Sequence, residues 1–217
     1  SNQIKNFLNN GWAIFDLPEP EIIYRFAQAL EHKAQEITKN DCKLSNLHEF
    51  VDDQAYALLH LNLAKYFWAE EFSLKISPSV VPILKELIGL DLMVQYMPYL
   101  RVARPNRASD NVGFHKDTQY GQTPYEITVH LPFVDLNEGA ALKVISRSHL
   151  EPESNYPSNV VDTGVEKGSD EHNLGKPYAS KRLKVPKKRK TNSLNLKLGQ
   201  AAIFVPSIFH GQEINLG

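Results

Sequence analysis

One cysteine, Cys42, stands among the 217 residues. That excludes an intrachain disulfide framework and any zinc site built on several thiolates. Long apolar runs are also missing. The longest uncharged stretch, Leu198 to Gln212, contains Gly199, Pro206 and His210 and falls short of the roughly 18 apolar residues a membrane helix needs. Neither sign of charge dominates: 24 lysines and arginines against 25 acids leave a net charge of −1, which argues against nucleic acid or an acidic membrane as partner. Ser1 to Asn10 carry neither the basic nor the apolar segment of a signal peptide, so a soluble, cytoplasmic protein is expected. What is present is enough chain to bury roughly 70% of its unfolded surface, so no metal or disulfide is needed merely to hold a core.

The pattern of apolar residues divides the chain. Residues 1–90 read as a helical layer with one strand. Ile4, Phe7 and Leu8 lie at helical spacing up to Gly11, and Trp12 to Leu17 is a short apolar run of strand type. After Pro20, an amphipathic stripe runs through Ile22, Ile23, Phe26, Ala27, Leu30, Ala34 and Ile37. Residues 52–68 repeat it through Ala55, Leu58, Leu59, Leu63 and Phe67. A further helix is predicted after Pro78, from Val80 to Ile88, closed by Gly89. Beyond Gly89 the period changes to two. Strands are predicted at Leu92 to Tyr96, Tyr99 to Ala103, Gly113 to Asp117, Glu126 to Val134, Ala140 to Ile145, Leu194 to Leu198 and Ala201 to Val205. Short strands between turns suggest a β-sandwich or barrel over 91–217. Residues 151–192 interrupt it with a turn-rich insertion that carries seven basic residues between Lys181 and Lys190. A solvated loop is the plain reading of that stretch; a basic cover over an anionic substrate is the sharper one.

Candidate chemistry begins at His115-Lys116-Asp117. On a strand, His115 and Asp117 share a face and Lys116 points away. An imidazole and a carboxylate side by side need one further ligand to make a facial triad that leaves open positions on Fe(II). His210 is the best third member: it follows the apolar run Ala201 to Val205 and precedes Gly211, which permits close backbone approach. His-x-Asp by itself is a weak signal, and a lone histidine after an apolar strand is more often packed than ligating.

Gly113-Phe114-His115-Lys116-Asp117 is followed by Glu126 through Phe133, Asn137-Glu138-Gly139-Ala140, Val144 through His149, and Phe204 through Asn215 around His210-Gly211. This succession resembles the phytanoyl-CoA dioxygenase-like family of Fe(II)/2-oxoglutarate-dependent oxygenases. The likeness extends upstream through Asn10-Gly11-Trp12-Ala13-Ile14, the helix ending at Gly89, and Arg104-Pro105. It implies a single oxygenase domain, mainly β with α. The core would be a double-stranded β-helix of jelly-roll or cupin-like form, under an N-terminal helical layer. It implies that His115, Asp117 and His210 ligate iron, that 2-oxoglutarate and O2 are co-substrates, and that succinate is formed as a small molecule is hydroxylated. The presence of Asp117 disfavours halogenation, because halogenating relatives lack that carboxylate.

The resemblance has one departure. The family places an arginine about ten residues after the distal histidine, where it pairs with the far carboxylate of 2-oxoglutarate. That position falls beyond Gly217, and the chain is expected to continue past it. Thr128, His130 and Gln212 are the co-substrate contacts expected within the chain, with an ordinary barrel-lining role as the alternative. Arg101 and Arg104 are candidates for an anionic substrate, although Arg104 before Pro105 also reads as a solvated strand end; Tyr120 either lines the pocket or packs. His149 stands in the family's Gly-Ser-His segment with Arg147 replacing glycine, and is read as structural. His32, His48, His60 and His172 show no ligand spacing, and Cys42 no activating partner. Two other classes stay open: a catalytically silent jelly roll that binds a ligand, and a cupin-like metalloenzyme that does not use 2-oxoglutarate.

Overall fold

The computed structural model describes residues 2–160, 165–166, 168–170 and 181–215. His172 and the residues after Asn215 lie outside these. The described chain is mixed: helices α1 (Asn2–Asn10), α2 (Glu21–Thr38), α3 (Asp53–Ala69) and α4 (Phe72–Ile88), then short antiparallel strands. Among the described residues no helix is long and apolar enough to cross a membrane.

The helices form largely where the periodicity places them. Asp52 caps α3, its carboxylate accepting from the Ala55 amide at 2.7 Å. The fourth helix starts six residues before the predicted Pro78 and runs through both Pro78 and Pro82. An interior proline deprives the carbonyl four residues back of its partner. Here the Ser77 hydroxyl donates to that carbonyl, Leu74 O, at 2.6 Å. The stripe of α3 is narrower than predicted: Leu59, His60, Leu63, Ala64 and Phe67 are buried, whereas Ala55 and Leu58 are exposed.

Strands β1 (Trp12–Asp16), β7 (Gln200–Phe204) and β2 (Thr128–His130) form one antiparallel sheet in the order β1-β7-β2. A second has the order β6-β3-β8, from β6 (Asn192–Ser193), β3 (Lys143–Val144) and β8 (His210–Gly211). Strand β7 is the centre of the molecule. Its Ala201 and Ile203 face the helices, in a core with Ile23, Leu30, Leu59, Leu63 and Phe67. Its Ala202 and Phe204 face the second sheet, in a core with Val144, Leu194, Leu196 and Ile208. A strand covered on both faces needs a continuous apolar run, which is what Ala201 to Phe204 supplies.

Three predicted strands do not form: Leu92 to Tyr96, Tyr99 to Ala103, and Leu194 to Leu198, where the ladder stops at β6 and the chain goes on through Leu194 N on Leu142 O and Leu136 N on Leu196 O, both at 2.8 Å. Residues 91–103 carry the period-two pattern but lie along α3 instead of in a sheet. Alternate carbonyls of this extended segment are taken by helix side chains: Pro98 O by Trp68 Nε1, Leu100 O by His60 Nε2 and Val102 O by Tyr56 Oη, all at 2.8–2.9 Å. The pattern reports one buried edge, and a helix serves that edge as well as a strand would. The predicted strand from Gly113 to Asp117 contributes only a single bridge at His115.

The predicted insertion is not simply a solvated loop. Strands β4 (Ser158–Val160) and β5 (Lys181–Leu183) pair antiparallel at its two ends. Tyr156 and Leu183 are buried against Ile145 and Phe209, with Phe114 packed on them. Leu183 N donates to Phe114 O at 2.7 Å, so the basic run begins directly beside the histidine-containing segment.

Candidate metal centre

His115 and His210 exchange both backbone hydrogen bonds, N to O at 2.8 and 2.9 Å. Residues directly opposite in an antiparallel bridge project to the same face. The two imidazoles accordingly lie side by side, with ring centroids 4.3 Å apart. Gly211 permits this approach: a Cβ there would stand 2.5 Å from Phe114 Cα and 2.7 Å from its amide nitrogen. After the extended Lys116 the chain turns, and Asp117 begins a short 3-10 segment with its amide on Pro206 O at 2.8 Å. Asp117 therefore reaches the histidines from a turn and not, as predicted, from the same strand.

The three side chains converge. Asp117 Oδ1 lies 3.1 Å from His115 Nε2 and 3.4 Å from His210 Nε2. One ligand atom from each residue fits within 4.8 Å of the others. His115 Nδ1 sits 2.7 Å from Gly113 O and His210 Nδ1 sits 3.0 Å from Ile208 O. A carbonyl only accepts, so each Nδ1 carries a proton and each Nε2 is the atom turned toward Asp117 and free to act as a ligand when unprotonated. Two imidazole Nε2 atoms and a carboxylate oxygen aimed at one point form a donor set that a positive centre completes, whether a proton on His210 or a metal ion. Imidazole and carboxylate donors, oriented by bonds from their outer atoms, suit a divalent transition metal.

Electrostatics treat the two histidines differently. Burial, then the neighbouring His210, lowers the pKa of His115, keeping it neutral. Burial works against charge on His210, but the Asp117 carboxylate outweighs it and raises the pKa. Burial likewise opposes charge on Asp117, yet the two imidazoles hold it well below the usual carboxylate range. Thr128 Oγ1 donates to the outer oxygen, Asp117 Oδ2, at 3.3 Å.

The other predicted residues are distributed unevenly. Thr128 and His130 lie on β2 opposite Phe204 and Ala202, on the face toward the second sheet. Enclosure, with His210 nearby, pushes the His130 pKa down to about 4. Tyr120 packs beside the site, its ring centroid 5.3 Å from that of His115. Gln212 donates its side-chain amide to Ala140 O at 2.9 Å. Arg101 is exposed and lies over Tyr99, 5.3 Å from the ring centroid. Arg104 is no solvated strand end: it is buried, forks onto Asp110 at 2.7 and 2.9 Å, meets Asp53 at 2.7 Å and stacks on Tyr56. His149 packs over Gly11, and Arg147 takes the left-handed conformation (φ 66°) that glycine adopts without strain.

Sequence reasoning missed the residues behind the site. Lys116 does point away, but into the protein, where its Nζ donates to Ser148 O and Glu151 O at 2.7 and 2.9 Å. Ser148 Oγ accepts from Phe209 N at 2.7 Å. Phe114 and Phe209 stack on this side, and Tyr156 stacks on Phe209. One signal was available: the dipeptide Phe-His occurs at both 114–115 and 209–210.

No family model and no curated protein matches the chain. Among solved structures it is similar to the non-heme alpha ketoglutarate dependent carbocyclase SnoK from nogalamycin biosynthesis. That likeness has a TM-score of 0.51 at 12% identity, over 100% of this chain and 78% of SnoK. It is also similar to AviO1 from Streptomyces viridochromogenes Tue57, with a TM-score of 0.48 at 12% identity, over 100% of this chain and 88% of AviO1. At such identity the likeness to SnoK is one of fold. The class of fold is a helical layer on short antiparallel sheets.

Proposed function

We propose that this chain is a non-haem Fe(II)- and 2-oxoglutarate-dependent oxygenase on a double-stranded β-helix, hydroxylating a small molecule. The observation that carries the reading is the convergence of His115 Nε2, His210 Nε2 and Asp117 Oδ1 with both Nδ1 atoms tied to carbonyls. The fold likeness to SnoK, described as alpha ketoglutarate dependent, supports it. His115, Asp117 and His210 would hold the ion, and three protein ligands would leave it able to take up co-substrate and oxygen. Bound iron would supply the oxidising chemistry, with 2-oxoglutarate decarboxylated to succinate, and the protein's part is to bind, orient and exclude. Thr128 steadies the outer oxygen of Asp117, which would leave Oδ1 as the ligand atom. His130, neutral and on the adjoining strand, is the proposed co-substrate contact. Tyr120 forms a wall of the substrate pocket. A sugar-derived or secondary-metabolite intermediate is the proposed substrate class, with the exposed lysines of the basic run favouring an anionic group on it.

Anaerobic titration with Fe(II) and then 2-oxoglutarate tests this through the visible charge-transfer band of the chelate. The expected result is a saturable band that disappears in His115→Ala, Asp117→Ala and His210→Ala, each variant still folded. Metal binding with no band would leave a metalloprotein that does not use 2-oxoglutarate. No metal binding would leave a silent scaffold.

A further inference from the structure

We propose that Lys116 is a positioning residue for the metal centre, clamping the His115–Asp117 segment to the turn at Ser148–Glu151, which also holds the segment of His210. The inference rests on the metal reading above and adds to it what sets the ligand geometry. His115 and His210 are registered by one bridge, with Gln212 N on Val112 O at 3.2 Å to one side of it, and Asp117 lies to the other side on a turn, its amide on Pro206 O at 2.8 Å. These bonds and the Thr128 hydroxyl on Asp117 Oδ2 hold each ligand locally, and the residue between the two ligands ties their segment to the rest of the fold. Lys116 is the residue that joins them, and it is only 4% exposed.

A buried ammonium group is costly unless its protons find acceptors. The acceptors here are Ser148 O and Glu151 O, at 2.7 and 2.9 Å, and the Nζ also lies 5.1 Å from the centroid of the Tyr156 ring. Ser148, with no exposed surface, completes the link by accepting from the amide of Phe209, the residue before His210. One residue of the turn thus contacts both ligand segments. The turn is itself held: Trp12 Nε1 donates to Ser146 Oγ at 2.9 Å, Arg147 N to Asn10 O at 3.0 Å and Tyr156 Oη to Glu151 Oε2 at 2.9 Å. Gln119 ties the far end of the ligand turn to Glu153 at 2.9 Å. The frame explains why a lysine is buried between two ligands, where a solvated lysine would do nothing for the metal.

The test uses the whole purified chain and a metal alone, Co(II), which reports coordination geometry through its visible d–d bands. Dissociation constants and spectra are compared for the wild type, Lys116→Met, Lys116→Arg and Ser148→Ala. Partners that orient ligands typically contribute about 10- to 100-fold in metal affinity, and a loss of that size is expected for Lys116→Met. Its d–d bands should shift, and Lys116→Arg should recover much of the affinity by keeping charge and donors. Ser148→Ala should weaken binding and shift the bands as well. Wild-type affinity and spectrum in folded Lys116→Met would overturn the proposal. If Lys116→Met does not fold, an unchanged affinity and spectrum in Ser148→Ala overturns it equally. A wild type that binds no metal removes the metal reading itself, whereas a metal-binding wild type with unaffected variants removes only the positioning role.

Discussion

Phe114 and Phe209 stack with ring centroids 5.2 Å apart and planes 16° from parallel, each immediately before a histidine whose ring faces the other way. The bridge between His115 and His210 thus has an aromatic back and a polar front. Phe209 is fully buried and also stacks on Tyr156, 4.7 Å away. Removing its ring leaves a cavity behind the distal histidine, between Phe114 and Tyr156. Phe209→Ala should cost about 3–5 kcal/mol of stability, measured as a shift of the urea midpoint. A loss below about 1 kcal/mol would mean that the stack does not hold the two segments together.

Arg104 makes a second prediction, because its structural setting differs from the substrate contact expected of it. Its guanidinium and the Asp110 carboxylate are both almost inaccessible, at 7% and 5% side-chain exposure. Breaking a buried pair leaves the remaining charge uncompensated, at about 3–5 kcal/mol. Arg104→Met should lower stability by that amount and leave the KM for substrate unchanged at a temperature where the variant is folded. A raised KM with unchanged stability would return Arg104 to the substrate pocket.

The residues that could be found from sequence are those whose chemistry and spacing act locally. The helices were legible because Ile23, Phe26, Leu30 and Ala34 repeat with the helical period and are buried as that period requires. His-x-Asp and a later histidine are weak signals by themselves, and His115, Asp117 and His210 were legible as a set because the segments around them follow in the order that carries the family resemblance. The 91–103 segment was misread because alternation reports an edge and a face, not the identity of the partner. Here the partner was Tyr56, His60 and Trp68 of α3. Lys116 and Arg104 were illegible for a related reason. Their partners, Ser148 and Glu151 for one, Asp53 and Asp110 for the other, are brought near by the fold, and no motif announces a buried cation.

Acidity at the site predicts how metal binding depends on pH. The folded pKa of His210 lies above its ordinary value of 6.5, so in the metal-free protein its protonation contributes stability that is full below 6.5 and lost as pH rises through the folded value. Asp117 behaves oppositely. Its depressed pKa contributes stability above the ordinary 3.8, lost as pH falls through the folded value. A metal ion must displace the His210 proton, whereas His115 is already neutral. Apparent affinity should therefore rise about tenfold per pH unit from 6.5 until His210 has titrated, then level off. Calorimetry in buffers of different ionisation enthalpy should count one proton released per metal below that plateau. Affinity independent of pH from 6 to 8 would show that His210 holds no proton for the metal to displace.

Gly211 provides the sharpest separation between fold and site, because the atoms a methyl group would meet cannot move independently. A Cβ on residue 211 would lie 2.5 Å from Phe114 Cα and 2.7 Å from Phe114 N, contacts closer than van der Waals packing allows. Phe114 is flanked by bonds that resist retreat: its carbonyl accepts from Leu183 N at 2.7 Å, and the next residue forms the bridge to His210. The strain must therefore be relieved along the bridge, by parting the two histidine segments. Gly211→Ala should cost about 1–3 kcal/mol, the usual penalty of overpacking, and weaken metal binding in the same protein. Gly89 supplies the contrast, since a Cβ there meets nothing within 4 Å although its φ of +106° is itself strained for alanine. Gly89→Ala should therefore destabilise without altering metal affinity once the protein is folded. If both variants lose stability and both keep wild-type metal binding, close approach at Gly211 is a packing feature and His115 and His210 hold their register by other means.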